Sequence, residues 1–380
     1  MKNLSECRVL IVDDAKANVD VLVEALRGEY KISVALSGES AFRIIEKNPP
    51  DLVLLDIVMP GMDGYEVCRR LRASPQTREI PVMFLSSLED VQNKAMGFEV
   101  GGNDYLTKPF EVLEVKARVR SLLKAKAYSD AVKEKMASEL RIAREIQLGI
   151  LPSDISVCTE GTRLEIEAFL EPAREVGGDL YEVLRTEDGR VVIVLGDVSG
   201  KGIPAALFMA VTMTLIRTLG RQFRSPDQIL RQVSDALAKQ NPKEMFVTLF
   251  CAIHDPRQGV VSCANAGHPS PVLISPGKPP VLPVPATGGL AGLEQGLEMS
   301  SRTVELRPGE TLLLYTDGVT EAFNGSEEMF GEEGLLAHLA DHPGKTAAET
   351  VSGLMGAIRR FTGDQPQSDD IAIIAVRCRE

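Results

Sequence analysis

Glu111-Val-Leu-Glu-Val-Lys-Ala-Arg-Val-Arg-Ser-Leu-Leu-Lys-Ala-Lys-Ala-Tyr-Ser-Asp-Ala-Val-Lys-Glu-Lys-Met-Ala-Ser-Glu-Leu-Arg-Ile-Ala-Arg-Glu-Ile-Gln-Leu148 contains no glycine and no proline. Residues that can be buried recur every three or four positions: Val115, Val119, Leu122, Ala125, Tyr128, Val132, Met136, Leu140, Ala143, Ile146 and Ile150. Lys, Arg and Glu fill most of the rest. That spacing predicts one helix with an apolar stripe and a wet opposite face. Unbroken, it would reach roughly 57 Å at about 1.5 Å per residue, longer than a small domain is wide. The chain therefore divides around it, into residues 1–124, a helix over 111–150, and residues 151–380. Alanines and lysines at seam positions predict a weak or adjustable coiled coil with a second copy of the chain. A covalent spacer lying on its neighbours is the plainer alternative.

The 380 residues allow two or three domains, each able to bury a core unaided. A formal net charge of −12 opposes binding to a polyanion, and no basic patch offsets it, so nucleic acid is not an expected partner. No apolar run precedes the first strand-like segment, and no window is expected to reach the ~20 apolar residues of a membrane span. The six cysteines, Cys7, Cys68, Cys158, Cys251, Cys263 and Cys378, form no CxxC pair. Such scattering suits reduced thiols in a cytoplasm.

Before the long helix, short apolar runs end in polar residues. Arg8–Val12 leads into Asp13-Asp14, Asp51–Leu55 into Asp56, Pro81–Leu85 into Ser86, and Tyr105–Thr107 into Lys108-Pro109. Helical stretches such as Ala15–Leu26 and Asp63–Arg72 alternate with them. The pattern predicts a doubly wound parallel sheet, with ligands at the carboxyl ends of its strands. A lone aspartate at a strand end is usually a turn former or helix cap. Five suitable residues at four strand ends need another explanation. Crowded carboxylates repel unless a divalent cation holds them, and oxygen ligands with room for water and phosphate suit Mg²⁺. Asp56, followed by the turn Met59-Pro60-Gly61, would be an exposed nucleophile for a phosphoryl group, with Lys108 and Ser86 contacting its oxygens.

On those residues the first domain resembles the receiver domain of two-component response regulators, over residues 7–124. The resemblance implies that Asp56 accepts the phosphoryl group from a histidine kinase and that Asp13 and Asp14 bind Mg²⁺ with it. It implies switching roles for Ser86, Tyr105 and Lys108.

After Leu151 the sequence is richer in strands, clearest at Val191–Leu195, Phe246–Ile253, Thr311–Thr316 and Ile371–Val376. Helical stretches cover Ile203–Leu219, Pro226–Ala238, Gly334–Leu339 and Thr346–Phe361. Turns such as Asp255–Gly259 predict antiparallel sheets with helices packed outside. The proline-rich Gly277–Pro285 is expected to be a loop outside the core. Four acidic motifs punctuate the strands: Val176-Gly-Gly-Asp179, Gly196-Asp197-Val-Ser-Gly-Lys-Gly202, Tyr315-Thr-Asp317-Gly-Val-Thr-Glu-Ala322 and Ser368-Asp369-Asp370-Ile371. Glycines beside the aspartates permit close approach of backbone and metal. Two hard cations sharing a carboxylate would acidify a bridging water, held by Asp179, Asp197 and Asp317, for in-line attack on a phosphate ester. Gly196–Gly202 lacks the spacing of a nucleotide-binding phosphate loop. His338 and His342 have metal-ligand spacing but no third ligand nearby, and Asn265-Ala-Gly-His268-Pro reads as a turn or as a substrate contact.

These motifs resemble PP2C-like phosphatases of the sporulation-protein-IIE and stress-phosphatase type, over roughly residues 140–378, with Leu140–Gln147 and Leu151-Pro152 matching the opening helix. The resemblance implies an α-β-β-α sandwich and Mn²⁺ or Mg²⁺ ligands at Asp179, Asp197, Asp317 and Asp369, with the Val198 carbonyl. Asp370 is the alternative to Asp369. No counterpart of the phosphate-gripping arginine of eukaryotic relatives is evident; Arg174 is the candidate. The implied protein is a cytoplasmic response regulator with a serine/threonine phosphatase output. Its implied partners are a phosphorylated anti-sigma-factor antagonist and a second copy of the chain. A catalytically inactive, phosphorylation-controlled adaptor is the alternative.

Overall fold

The structure, a computed structural model, describes residues 4–87, 96–239, 241–256 and 260–380. It separates into two compact units, Met1–Ser138 and Glu139–Glu380.

In the first unit the order is β1 (Arg8–Val12), α1 (Lys16–Leu26), β2 (Lys31–Ala35), α2 (Gly38–Lys47), β3 (Leu52–Asp56), α3 (Gly64–Ala73), β4 (Val82–Ser87), β5 (Asp104–Lys108) and then α4 (Val112–Ile150). The strands form a parallel sheet in the order β2-β1-β3-β4-β5. β3 is buried at every position, as a central parallel strand covered on both faces must be. Side chains start two of the helices. Ser37 Oγ accepts from Ser40 N–H ahead of α2, and Asp63 Oδ1 from Glu66 N–H ahead of α3 at 2.7 Å. Strand order reverses at β1 and β3, so the crevice beyond their carboxyl ends is where a ligand belongs.

Helix α4 starts and stops within two residues of the predicted span, but its stripe is buried only at one end. Val115, Val119 and Leu123 pack into the core under β1, β3 and β4. Farther along, Tyr128, Val132 and Met136 are 69%, 48% and 57% exposed, and Ile146 is exposed as well. Periodicity marked which residues share a face. It carried no information about what would cover that face.

The second unit continues with β6 (Leu164–Glu171), β7 (Leu180–Arg185), β8 (Val191–Val198), α5 (Ile203–Gln222), α6 (Pro226–Ala238), β9 (Val247–Asp255), β10 (Val260–Ala266), β11 (Val272–Ile274), β12 (Arg302–Glu305), β13 (Thr311–Tyr315), α7 (Gly331–Asp341), α8 (Ala347–Thr362) and β14 (Ile371–Cys378). Two antiparallel sheets, β12-β10-β9-β8-β7 and β11-β13-β14-β6, share one core. Helices α5 and α6 cover the first sheet, and α7 and α8 the second. The result is the four-layered α-β-β-α sandwich.

Three expectations need comment. Gly277–Pro285 is not wholly outside the core: Val284 is fully buried, and Leu273 and Val281 exchange backbone hydrogen bonds. One helix among the described residues, α5, is long and apolar enough to cross a membrane by length and composition, against the expectation that no window would be. Its Ala205, Met209, Met213 and Ile216 belong to the sandwich core, which accounts for the hydropathy. In the turn predicted at Asp255–Gly259, residues 257–259 lie outside the described residues, although β9 and β10 do pair across it.

Candidate functional site

The strand ends of the first unit gather the predicted residues in one pocket. Asp13 is fully buried, Asp56 nearly so, and Asp14 exposed. These three bring ligand oxygens within 4.8 Å of one another. Asp13 is held by the Ala15 N–H at 2.8 Å and by both contacts of Asn18 Nδ2, at 3.1 and 3.0 Å. Lys108 Nζ lies 2.9 Å from an oxygen of Asp13 and 2.9 Å from one of Asp56. Burial raises the proton affinity of Asp56, against the pull of Lys108. For Lys108 burial works against the charge, yet hydrogen bonds to Asp56 and Asp13 outweigh it and hold its pKa up. Ser86 Oγ is buried without a hydrogen-bond partner among the described residues, an orphan that a phosphoryl oxygen on Asp56 would satisfy. Tyr105 packs against Phe84 and Phe98, and burial pushes its phenol up to about 12. Three oxygen ligands on one side and an ammonium on the other suit a small hard cation beside a phosphoryl acceptor.

In the second unit, Asp179 immediately precedes β7, Asp197 lies at the end of β8, Asp317 follows β13, and Asp369 and Asp370 precede β14. Both sheets thus deliver carboxylates to one edge of the sandwich. Asp179 is buried and accepts a hydrogen bond from Thr316 Oγ1 at 2.8 Å. Burial, then the carboxylates of Asp197 and Asp370, push its pKa well above the usual range. Asp197, hydrogen-bonded to Asp179, is pushed up to about 7 by burial and by Asp317, Asp369 and Asp370. Asp317 is raised by burial, Glu321 and Asp369. Mutual repulsion of this size is what divalent charge relieves. Among the described residues no three of these aspartates bring ligand atoms within 4.8 Å of one another. The donor set therefore fits two ions sharing carboxylates and water better than one ion held tightly.

The two neighbouring aspartates differ. Asp370 Oδ1 accepts from Ala173 N–H at 2.8 Å and Oδ2 from Gly178 N–H at 2.6 Å, so both oxygens brace the backbone leading to Asp179. A β-carbon on Gly177 would lie 2.2 Å from Asp370 Oδ2, and one on Gly318 only 2.0 Å from the Asp370 carbonyl oxygen. Neither position tolerates a side chain while the loops meet there. Asp369 is half-buried, with Oδ2 2.8 Å from Lys201 Nζ. Asp370 thus braces the loops, while the Asp369 carboxylate meets only the ammonium and the adjoining Asp370 N–H among the described residues. The Val198 side of the pocket is close as well: a β-carbon on Gly178 would lie 2.8 Å from the Val198 carbonyl oxygen.

The family model for stage II sporulation protein E matches residues 187–379, just over half of the chain. The chain belongs to the SpoIIE family. The model for response regulator receiver domains matches residues 9–120, so a receiver domain is fused to a SpoIIE-type, PP2C-like phosphatase domain. The SiaA-PP2C domain of Pseudomonas aeruginosa superposes with a TM-score of 0.58 at 26% identity, covering 65% of this chain and 98% of that one. Response regulator PleD of Caulobacter vibrioides is 42% identical over 136 residues, 36% of this chain and 30% of its own length. Protein IcfG of Synechocystis is 30% identical over 272 residues, 63% of this chain and 41% of its own length. The chain thus spans less than half the length of either curated relative.

In this SpoIIE-family domain the remaining sequence candidates are exposed or take structural roles. Arg174 is exposed and makes no hydrogen bond or ion pair among the described residues. His338 and His342 stack with ring centroids 5.1 Å apart at the end of α7. Asn265 clamps the turn after β10: Oδ1 accepts from His268 N–H at 2.8 Å, and Nδ2 donates to the His268 and Val284 carbonyls. The turn reading therefore accounts for Asn265-Ala-Gly-His268.

Sequence reasoning gave no role to Gln147, on α4. Its side chain is buried, with Nε2 donating to the Gly177 carbonyl at 2.6 Å and Oε1 accepting from Gly177 N–H at 3.1 Å. Nearby, Arg217 on α5 pairs with buried Glu182 of β7 and donates to the Ile150 carbonyl at the end of α4. The sequence carries no signal for this contact, because a polar residue on an amphipathic helix reads as part of the wet face.

Proposed function

We propose that the chain is a response regulator whose receiver domain controls a metal-dependent serine/threonine phosphoprotein phosphatase. The observation that carries this reading is the convergence of Asp179, Asp197, Asp317 and Asp369 at one edge of the sandwich, with the carboxylate repulsion described above. An intact acidic set also weighs against a catalytically inactive adaptor. Functionally we divide the chain into residues 1–124, the helix over 111–150 and residues 151–380.

Asp179, Asp197, Asp317 and Asp369, with the Val198 carbonyl, would hold two Mn²⁺ or Mg²⁺ ions. When bound, these supply Lewis-acid chemistry: an acidified water and neutralisation of phosphate charge. Thr316 fixes the rotamer of Asp179 through its hydrogen bond, and Asp370 locks the loops that present Asp179 and Asp317. In the reaction, water attacks phosphorus in line with the serine or threonine oxygen. The P–O ester bond breaks, the departing oxygen takes up a proton, and inorganic phosphate leaves. The substrate we assign is a phosphorylated anti-sigma-factor antagonist, and the site of action the cytoplasm.

In the receiver, Asp13, Asp14 and Asp56 would hold Mg²⁺, and Asp56 would take a phosphoryl group from a histidine kinase. Lys108 and Ser86 would bind its oxygens, with Tyr105 responding to Ser86. Coupling would run through α4. The exposed Tyr128, Val132 and Met136 lie on one helix face and suit pairing with a second copy, while Gln147 joins the far end of the helix to Gly177, two residues before Asp179. A change of register or rotation in the pair would then shift the acidic edge. The test is hydrolysis of p-nitrophenyl phosphate with Mn²⁺, before and after beryllofluoride. Activity that is lost with EDTA and altered by beryllofluoride is expected; metal-independent or absent hydrolysis overturns the reading.

A further inference from the structure

We infer that Lys201 grips the phosphate of the substrate. The inference rests on the phosphatase reading and names the phosphate contact that reading leaves open.

Lys201 sits in the loop between β8 and α5, between Gly200 and Gly202, whose φ angles are +86° and +76°. These left-handed positions curl the loop so that the side chain returns over the acidic edge. Its Nζ lies 2.8 Å from Asp369 Oδ2 and 2.9 Å from the Ser368 carbonyl oxygen. Among the described residues it is the only cation paired with any of the five aspartates. A phosphate monoester approaching five carboxylates is repelled at short range, so the pocket needs positive charge aimed outward as well as inward. Lys201 has it: the side chain is 41% exposed, on a flexible stem with three rotatable donors. The same ammonium can leave Asp369 and donate to a non-bridging phosphate oxygen. Divalent charge on Asp369 would compete for that carboxylate and favour the move. No covalent bond to Lys201 forms or breaks; its contact persists to the inorganic phosphate product, whose charge it partly offsets. The glycine-rich stretch Gly196–Gly202 thus handles phosphate through one side chain, without the spacing of a nucleotide loop.

The experiment is isothermal titration of inorganic phosphate into the full chain with saturating Mg²⁺, for wild type, Lys201→Ala and Lys201→Arg. Losing a charge-assisted hydrogen bond should weaken phosphate binding about tenfold or more in Lys201→Ala. Lys201→Arg should recover most of the affinity. The concentration of Mn²⁺ giving half-maximal turnover should stay within about twofold of wild type, because an exposed lysine–carboxylate pair contributes little. Equal phosphate affinity in wild type and Lys201→Ala overturns the assignment, as does wild type that binds no phosphate. A shifted Mn²⁺ requirement with unchanged phosphate affinity reduces Lys201 to a clamp on Asp369 and overturns it too. Normal phosphate binding by a chain that hydrolyses nothing would instead remove the phosphatase reading and leave this contact standing.

Discussion

The two acidic pockets of this chain solve the same electrostatic problem differently. In the receiver, three carboxylates crowd within 4.8 Å and Lys108 bridges two of them from inside the pocket. In the phosphatase domain, five aspartates spread along an edge where two sheets meet, and the paired lysine touches only the outermost. In the first pocket one ammonium meets three carboxylates, an excess of negative charge that a single divalent cation would offset. In the second, repulsion is left standing, with Asp197 held at about 7. The difference would suit a covalent acceptor, which works with one ion, against a hydrolytic site, which needs enough divalent charge to acidify water.

The largest expected effect sharpens the receiver side of this contrast. Acetyl phosphate with Mg²⁺ should label one acyl-phosphate site, and Asp56→Asn should reduce the label to background; label that persists in the mutant means another carboxylate is the acceptor. On the other side, Asp197→Asn or Asp317→Asn should cut Mn²⁺-dependent hydrolysis by more than about 100-fold, since even outer-shell changes at metal sites cost 10–100-fold. Circular dichroism should show both variants folded, and near wild-type turnover by either breaks the comparison.

The next two effects ask whether the pockets communicate. Met136→Pro and Leu140→Pro each break α4 at about 3 kcal/mol or more and replace none of the site residues. Turnover should lose its response to beryllofluoride, and sedimentation should report weaker dimers; a full response in both would make the helix a tether. Gln147→Ala is smaller. It leaves the buried N–H and carbonyl of Gly177 without their partner, at about 1–3 kcal/mol, so turnover should fall roughly tenfold while labelling of Asp56 is retained. Unchanged turnover would detach α4 from the acidic edge.

Much of this molecule was legible in its sequence because the relevant signals are local. Apolar runs ending in Asp13, Asp56, Ser86 and Lys108 report a parallel sheet and its crevice, since strand ends and switch point follow from chain order. Glycine-flanked aspartates in the second half mark tight acidic loops, and an uninterrupted run marks a helix. Some strands are not legible in the sequence: β2 and β7 are short and mix charged with apolar residues. Only tertiary structure decided which members of a pattern do what. Asp369 and Asp370 are adjacent in sequence, yet one meets Lys201 and the other is consumed by two backbone N–H groups from a loop nearly 200 residues away. Val284 is in the core although its neighbours read as loop, because burial depends on what folds over a residue. Gln147 becomes a contact of Gly177, and Tyr128, Val132 and Met136 of the α4 stripe stay exposed, for the same reason. A side chain's chemistry is written in the sequence, while its partner across space is set only when the sheets close.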